Sequence, residues 1–131
     1  MFLTKECDYA IRVVRGLSYL EIKSVRMVCE HEQVPPTFAY KILKKLEHAG
    51  IVDSYRGAVG GYQLAKTLDS ITLFDIVKAV DERLFLNECL QEGYICPLNI
   101  DGNFCGVHRE LTRIQSLLIE ALEENTMAKL I

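Results

Sequence analysis

Apolar residues recur along this chain at two different periods, and the change of period marks out its elements. Ala10, Val13, Val14, Leu17 and Leu20 follow helical spacing, and Thr4 is placed to cap the helix they predict from Lys5 to about Leu20. Asp8 and Arg12, four apart, share one exposed flank of it. Ser24 is placed to cap a short second helix over residues 25–31, and Val34-Pro35-Pro36 breaks the chain after it. A proline then opens a third helix and Gly50 closes it, the usual asymmetry of helix ends. Phe38, Ile42, Leu43, Leu46 and Ala49 are its expected buried stripe, with Thr37, Tyr40, Lys41, Lys44, Lys45 and His48 lying off it.

The period then shortens to two. Residues 51–56 alternate like a strand, Gly57-Ala58-Val59-Gly60-Gly61 forms a glycine-rich tip, and Tyr62-Gln63-Leu64 returns as a second strand. Thr72 with Asp75 makes a capping box for a helix to about Asp81, with Leu73, Ile76, Val77 and Val80 inward. Residues 82–106 show no sustained period, and Gly93, Pro97, Gly102 and Gly106 mark turns. A last helix runs from about Val107 to Glu124 with an apolar stripe of Leu111, Ile114, Leu117, Leu118, Ala121 and Leu122. Such a stripe must be buried against another helix, and a second subunit is the natural candidate.

The fold class that follows is mainly α with a small β-hairpin wing. Its expected divisions are a winged helix-turn-helix domain over residues 1–81, a cysteine-bearing segment over 82–106, and a dimerisation helix with its tail over 107–131. At 131 residues and 50% hydrophobic, the chain can bury one sizeable core. No stretch has the length and apolar character of a membrane span, and no secretion signal opens the chain, so a cytoplasmic protein is expected.

Charge sharpens this picture because it is uneven. The formal net charge is -3, yet residues 35–66 carry five basic and two acidic groups, whereas residues 67–131 carry five basic and eleven acidic groups. The positive region is the third helix and the hairpin. Helix, turn, basic helix and glycine-tipped hairpin is the order of a winged helix-turn-helix, whose second helix enters the major groove of double-stranded DNA. The candidate DNA-contacting residues are Pro36, Thr37, Tyr40, Lys41, Lys44, Lys45, Arg56, Gly57, Gly60 and Tyr62. Lysines neutralise phosphates, while Thr37 and Tyr40 near the helix start are placed for base edges. Three lysines on a helix are by themselves an ordinary solvated face; the adjacent glycine hairpin is what such a face has no need of.

Three of the five cysteines, Cys89, Cys96 and Cys105, fall in the aperiodic segment with spacing C-x6-C-x8-C. An odd count in a chain with no secretion signal argues against a disulfide framework, and three soft thiols read as a ligand set one member short. His108, three residues after Cys105, would also complete a zinc site. Cys7 and Cys29 lie in helices and are expected to be small buried apolar residues, with Cys7 a further, weak ligand candidate beside Asp8.

Residues 4–12, 40–52, 54–64 (with Arg-Gly-x-x-Gly-Gly-Tyr at the wing), 71–76 and 126–130 together resemble the Rrf-two family of bacterial transcription regulators, with its IscR-like and NsrR-like members. The resemblance covers essentially the whole chain. It implies a homodimer held by the long helix, bound to a two-fold symmetric operator and acting as a regulator, most simply a repressor. It also implies an iron-sulfur cluster, 2Fe-2S or 4Fe-4S, on Cys89, Cys96 and Cys105. For the fourth ligand, His108 stands where IscR-like members place a histidine, and Asp8 where NsrR-like members supply an aspartate from the partner subunit. His108 is the first candidate because it is local. The chain departs from the family at Tyr40, where many relatives carry an acidic residue, and in the wider spacing of its cysteines. Two other readings stand beside this one: the same regulator with a thiol or zinc switch and no cluster, and a small iron-sulfur electron carrier. An enzyme is not expected, since there are no paired carboxylates and no nucleophile-base pair, and Gly57 to Gly61 precede a strand where a phosphate loop would precede a helix.

Overall fold

Thr4 opens the first helix as expected: its hydroxyl accepts the Cys7 N–H at 3.3 Å and α1 runs Lys5–Gly16. A computed structural model describes residues 3–98, 102 and 105–131 of the chain. α1 ends four residues earlier than its apolar pattern predicts. Lys23 Nζ donates to the Gly16 carbonyl at 2.9 Å, satisfying one terminal acceptor, and Leu20 takes a positive φ of 52° with its side chain exposed. α2 spans Val25–Glu32 under its Ser24 cap and stops at Gln33 in the left-handed conformation. Pro36 begins α3, Pro36–His48. Its buried stripe is Ala39, Ile42, Leu43 and Leu46, at i, i+3, i+4 and i+7. Phe38, expected inward, stands on the flank edge-on to Tyr9 with ring centroids 5.1 Å apart, and Ala49 is an exposed C-cap.

The hairpin pairs β1, Val52–Tyr55, antiparallel with β2, Gly61–Leu64, in the register Val52 opposite Leu64 and Tyr55 opposite Gly61. A third piece of backbone joins it: Lys23 and Tyr62 exchange both main-chain hydrogen bonds, at 2.9 and 2.8 Å. The wing is therefore anchored to the start of α2. α4, Leu73–Val80, begins with the complete Thr72–Asp75 capping box. α1 packs against α2, α3 and α4, and Leu17, Ile42, Leu43, Leu46, Ile71 and Ile76 fill the centre of the core.

Beyond α4, residues 82–98 form turns with one 3-10 turn at Glu88–Leu90, and α5 covers Gly106–Glu124. Residues 99–101, 103 and 104 of the cysteine segment lie outside the described residues, as do residues 1 and 2. α5 packs against α4, and Gln115 Oε1 accepts the Leu86 N–H at 2.9 Å, but no residue of α5 is fully buried. After it the chain returns to the core. Met127 N–H donates to the Ile71 carbonyl at 2.7 Å, Met127 is buried, and α6, Met127–Leu130, closes the C-terminus.

Candidate nucleic-acid interface and cysteine segment

Thr37, Tyr40, Lys41 and Lys44 recur at i, i+3, i+4 and i+7, so the stripe opposite the buried one presents them together, and all four are exposed. Pro36, at the first turn, is exposed as well. Among the described residues Lys44 and Arg56 form no ion pair, and Lys41 has only Glu6, at 3.8 Å. Free ammonium and guanidinium groups beside exposed hydroxyls are what a groove-docking helix requires.

Lys45 behaves differently. Its Nζ donates to Glu6 Oε1 at 2.8 Å and to the Val80 carbonyl at 2.9 Å, so the side chain is turned back onto α1 and α4. The signal was present in the helical wheel, since Lys45 lies about 100° around from Lys44. Its partners Glu6 and Val80 come from distant parts of the chain and carry no local signature.

Backbone crowding explains the wing glycines. A Cβ on Gly60 would meet the Tyr55 carbonyl oxygen at 2.6 Å, and one on Gly61 would meet the Lys23 carbonyl oxygen at 2.1 Å. Gly57 carries φ +112°, which turns the chain after the exposed Arg56. The wing is also tied to α3. Ser54 donates its hydroxyl to Glu47, and Tyr62 is half-buried, where burial pushes its phenol up, with the Glu47 and Tyr40 charges adding to the effect. Lys23 and Glu47, which hold this arrangement, were absent from the residues expected at the site.

The cysteines divide as anticipated into two kinds. Cys7 and Cys29 are buried, and burial pushes the Cys29 thiol up, as in a core residue. Cys89 and Cys96 are half-buried and Cys105 exposed, all as free thiols. Cys89 ends next to Asn87 Nδ2 at 3.4 Å; Cys105 is the N-cap of α5, its Sγ accepting the His108 N–H at 3.4 Å. The His108 side chain is exposed on the first turn of α5. Asp8 is held by Arg12, with contacts of 3.2 and 3.3 Å. Among the described residues no three His, Cys, Asp or Glu side chains come together closely enough to hold a metal ion. The donor set nevertheless fits an iron-sulfur cluster in kind: three accessible soft thiols whose competing contacts among the described residues are two weak donors, Asn87 to Cys89 and the His108 N–H to Cys105.

A helical core of α1 to α4, a glycine-tipped wing and an exposed cationic stripe on the second helix of the turn define a winged helix-turn-helix transcription regulator. A family of iron-dependent transcriptional regulators, Rrf2, matches residues 3–131. The chain belongs to the Rrf2 family, and as such is a DNA-binding transcriptional regulator and not an enzyme. It is 32% identical to protein aau3 of Rhizobium meliloti (strain 1021) over 134 residues, covering 100% of this chain and 85% of that one. The transcriptional regulator NsrR of Shouchella clausii (strain KSM-K16) is 27% identical across 100% of this chain and 89% of its own. Among solved structures, IscR from T. potens superposes with a TM-score of 0.76 at 20% identity, over 98% of this chain and 84% of that one. Among the described residues no helix is long and apolar enough to cross a membrane.

Proposed function

We infer that this regulator binds a two-fold symmetric operator as a homodimer and that an iron-sulfur cluster on Cys89, Cys96 and Cys105 controls its affinity, most simply as a repressor. The observation that carries this reading is the placement of three accessible thiols in the segment joining α4 to α5, within a chain of a family described as iron-dependent. A cluster bound there would supply a centre that reacts with oxygen or nitric oxide and responds to iron supply. The protein's part is mechanical. Residues 82–106 connect the winged domain to α5, so drawing their thiols together changes how the winged domain is carried on that helix. If α5 pairs with its copy, the two recognition helices change separation, and half-site spacing is a geometric condition on affinity.

The dimer is supported by α5 itself. Val107, Ile114 and Leu117 stand 69%, 40% and 50% exposed on a helix that otherwise packs on α4. A second copy covers them at no new chemical cost. The double substitution Ile114→Glu and Leu117→Glu is expected to give a monomer by light scattering, with operator affinity reduced at least about tenfold through loss of the second half-site. A variant still dimeric at micromolar concentration would place the interface elsewhere.

For the cysteines, anaerobic reconstitution of the full-length protein followed by absorption and Mössbauer spectroscopy is the test. Wild type is expected to show a cluster, each Cys89→Ser, Cys96→Ser and Cys105→Ser variant to lose it, and one of His108→Ala and Asp8→Ala to shift its spectrum. Asp8 is the more encumbered of the two, since ligation would first break its pair with Arg12. A wild-type protein that stays colourless, holding zinc or free thiols, rejects the cluster and leaves the thiol or zinc switch. Spectra of His108→Ala and Asp8→Ala that both equal the wild-type spectrum reject both fourth ligands.

A further inference from the structure

We propose that Lys45 is a positioning residue, a latch joining the recognition helix to the point where the cysteine segment leaves the winged domain, and does not contact operator phosphate. The proposal rests on α3 being the helix that docks DNA, and it deepens that reading.

An ammonium group has three protons, and Lys45 commits two of them: one to Glu6 Oε1 at 2.8 Å, one to the Val80 carbonyl at 2.9 Å. Swinging out to a phosphate abandons both. Glu6, only one-fifth exposed, would be left with Lys41 at 3.8 Å, and a carbonyl at the last residue of α4 would lose its donor. Lys44, one residue earlier, bears no such penalty because it has no partner among the described residues. Two adjacent lysines of the same helix therefore do different work.

The place of the latch gives it meaning. Val80 is the last residue of α4, and the path to Cys89 starts directly after it. Glu6 lies in the first turn of α1, two residues before Asp8, the alternative source of a ligand. Both routes by which ligation would pull on the winged domain thus end on one nitrogen of the recognition helix. Displacement of either Val80 or Glu6 costs Lys45 a charged hydrogen bond unless α3 follows.

Phosphate contact and positioning separate in salt dependence. A phosphate lysine contributes about one to the slope of log affinity against log salt, and a positioning lysine contributes none. The experiment uses the full-length, thiol-reduced, metal-free protein and a duplex selected by wild type from a random-sequence pool, with affinity followed by fluorescence anisotropy across a sodium chloride series. Lys45→Met and Glu6→Gln are each expected to weaken binding about three- to tenfold at every salt concentration with the slope unchanged, and the double variant to be no weaker than the worse single one. Lys44→Met is expected to lower the slope by about one. Glu6→Gln leaves α3 untouched, so it tests the latch even where Lys45→Met folds poorly. The proposal is overturned if Lys45→Met lowers the slope as Lys44→Met does, if Glu6→Gln leaves affinity unchanged or tightens it, or if the two losses add. If Lys44→Met and Thr37→Ala both leave affinity and slope unchanged, it is instead the docking of α3 on DNA that fails, and the latch falls with it.

Discussion

Replacing Gly61 with alanine is expected to destabilise the protein by about 3 kcal/mol, lower its melting temperature by on the order of 10 °C, and weaken operator binding at least about tenfold. The cause is backbone against backbone. The new methyl would sit 2.1 Å from the Lys23 carbonyl oxygen and 2.9 Å from the Ser24 nitrogen, neither of which can rotate away. Relief requires breaking the paired hydrogen bonds between Lys23 and Tyr62, and these are what seat the wing on the start of α2. Once the wing lifts, Arg56 loses its position, and Tyr62 loses the main-chain pairing with Lys23 that seats it. Val59→Ala provides the contrast, because Val59 is 88% exposed at the tip. Thermal melting followed by circular dichroism, with operator titration of both variants, checks the pair. If Gly61→Ala melts and binds like wild type, the close approach of wing and α2 is wrong.

Gly61 also shows which parts of this molecule are readable from residues alone. The glycine-rich tip announces a hairpin through turn chemistry, which is local, and the capping residues Thr4, Ser24 and Thr72 all perform as their positions imply. Local rules fail where distant chain intervenes. Leu20 keeps helical spacing with Leu17, yet Lys23 reaches back to the Gly16 carbonyl and the helix ends first. Phe38 reads as core by hydrophobicity, but the true stripe starts at Ala39 and the ring instead stacks edge-on against Tyr9. Lys45 reads as one more surface cation until Glu6 and Val80 arrive from 39 and 35 residues away. The cysteines were separable by context into core and accessible kinds, because burial of Cys7 and Cys29 follows from helix periodicity. Convergence of Cys89, Cys96 and Cys105 has no such local signature, since it would depend on the path of an aperiodic segment, and among the described residues they do not come together.

A second long-range pair makes the largest expected difference to the pH dependence of folding. Glu32 is 4% exposed, the one buried charged side chain among the described residues. Burial pushes its carboxyl up, but hydrogen bonds from Arg15 (Nε at 2.9 Å) and His31 (3.2 Å), with their charges, outweigh burial and hold it below the usual carboxylate range. A group with a depressed folded value contributes stability that is present above its unfolded value, about 4.3, and is lost as pH falls through the folded value. Wild type should hold this contribution at neutral pH and lose it in acid.

Arg15→Ala reverses the balance. With its main partner gone, burial dominates and the Glu32 value rises above that of the unfolded chain, so ionised Glu32 then costs stability at pH 7. The expected loss is about 2 kcal/mol, discounted from a fully buried pair because Arg15 is itself 55% exposed and His31 remains. The loss should shrink on going to pH 4, where the raised carboxyl is protonated in the variant and the wild-type advantage is fading. Adding Glu32→Gln should recover part of it at pH 7, since no charge is then left to bury. Urea denaturation at the two pH values measures all of this, and a penalty for Arg15→Ala that is equal at pH 7 and pH 4 would dismiss the pair as its cause. The consequence reaches α3, the helix proposed to dock DNA, because Arg12 also donates to the Glu32 carbonyl at 3.5 Å, and Glu32 is the last residue of α2 before Gln33 and Val34 turn the chain into α3. Two arginines of α1 thus fix the turn that aims the recognition helix, and operator affinity of Arg15→Ala should fall at pH 7 by more than its net loss of one exposed charge explains.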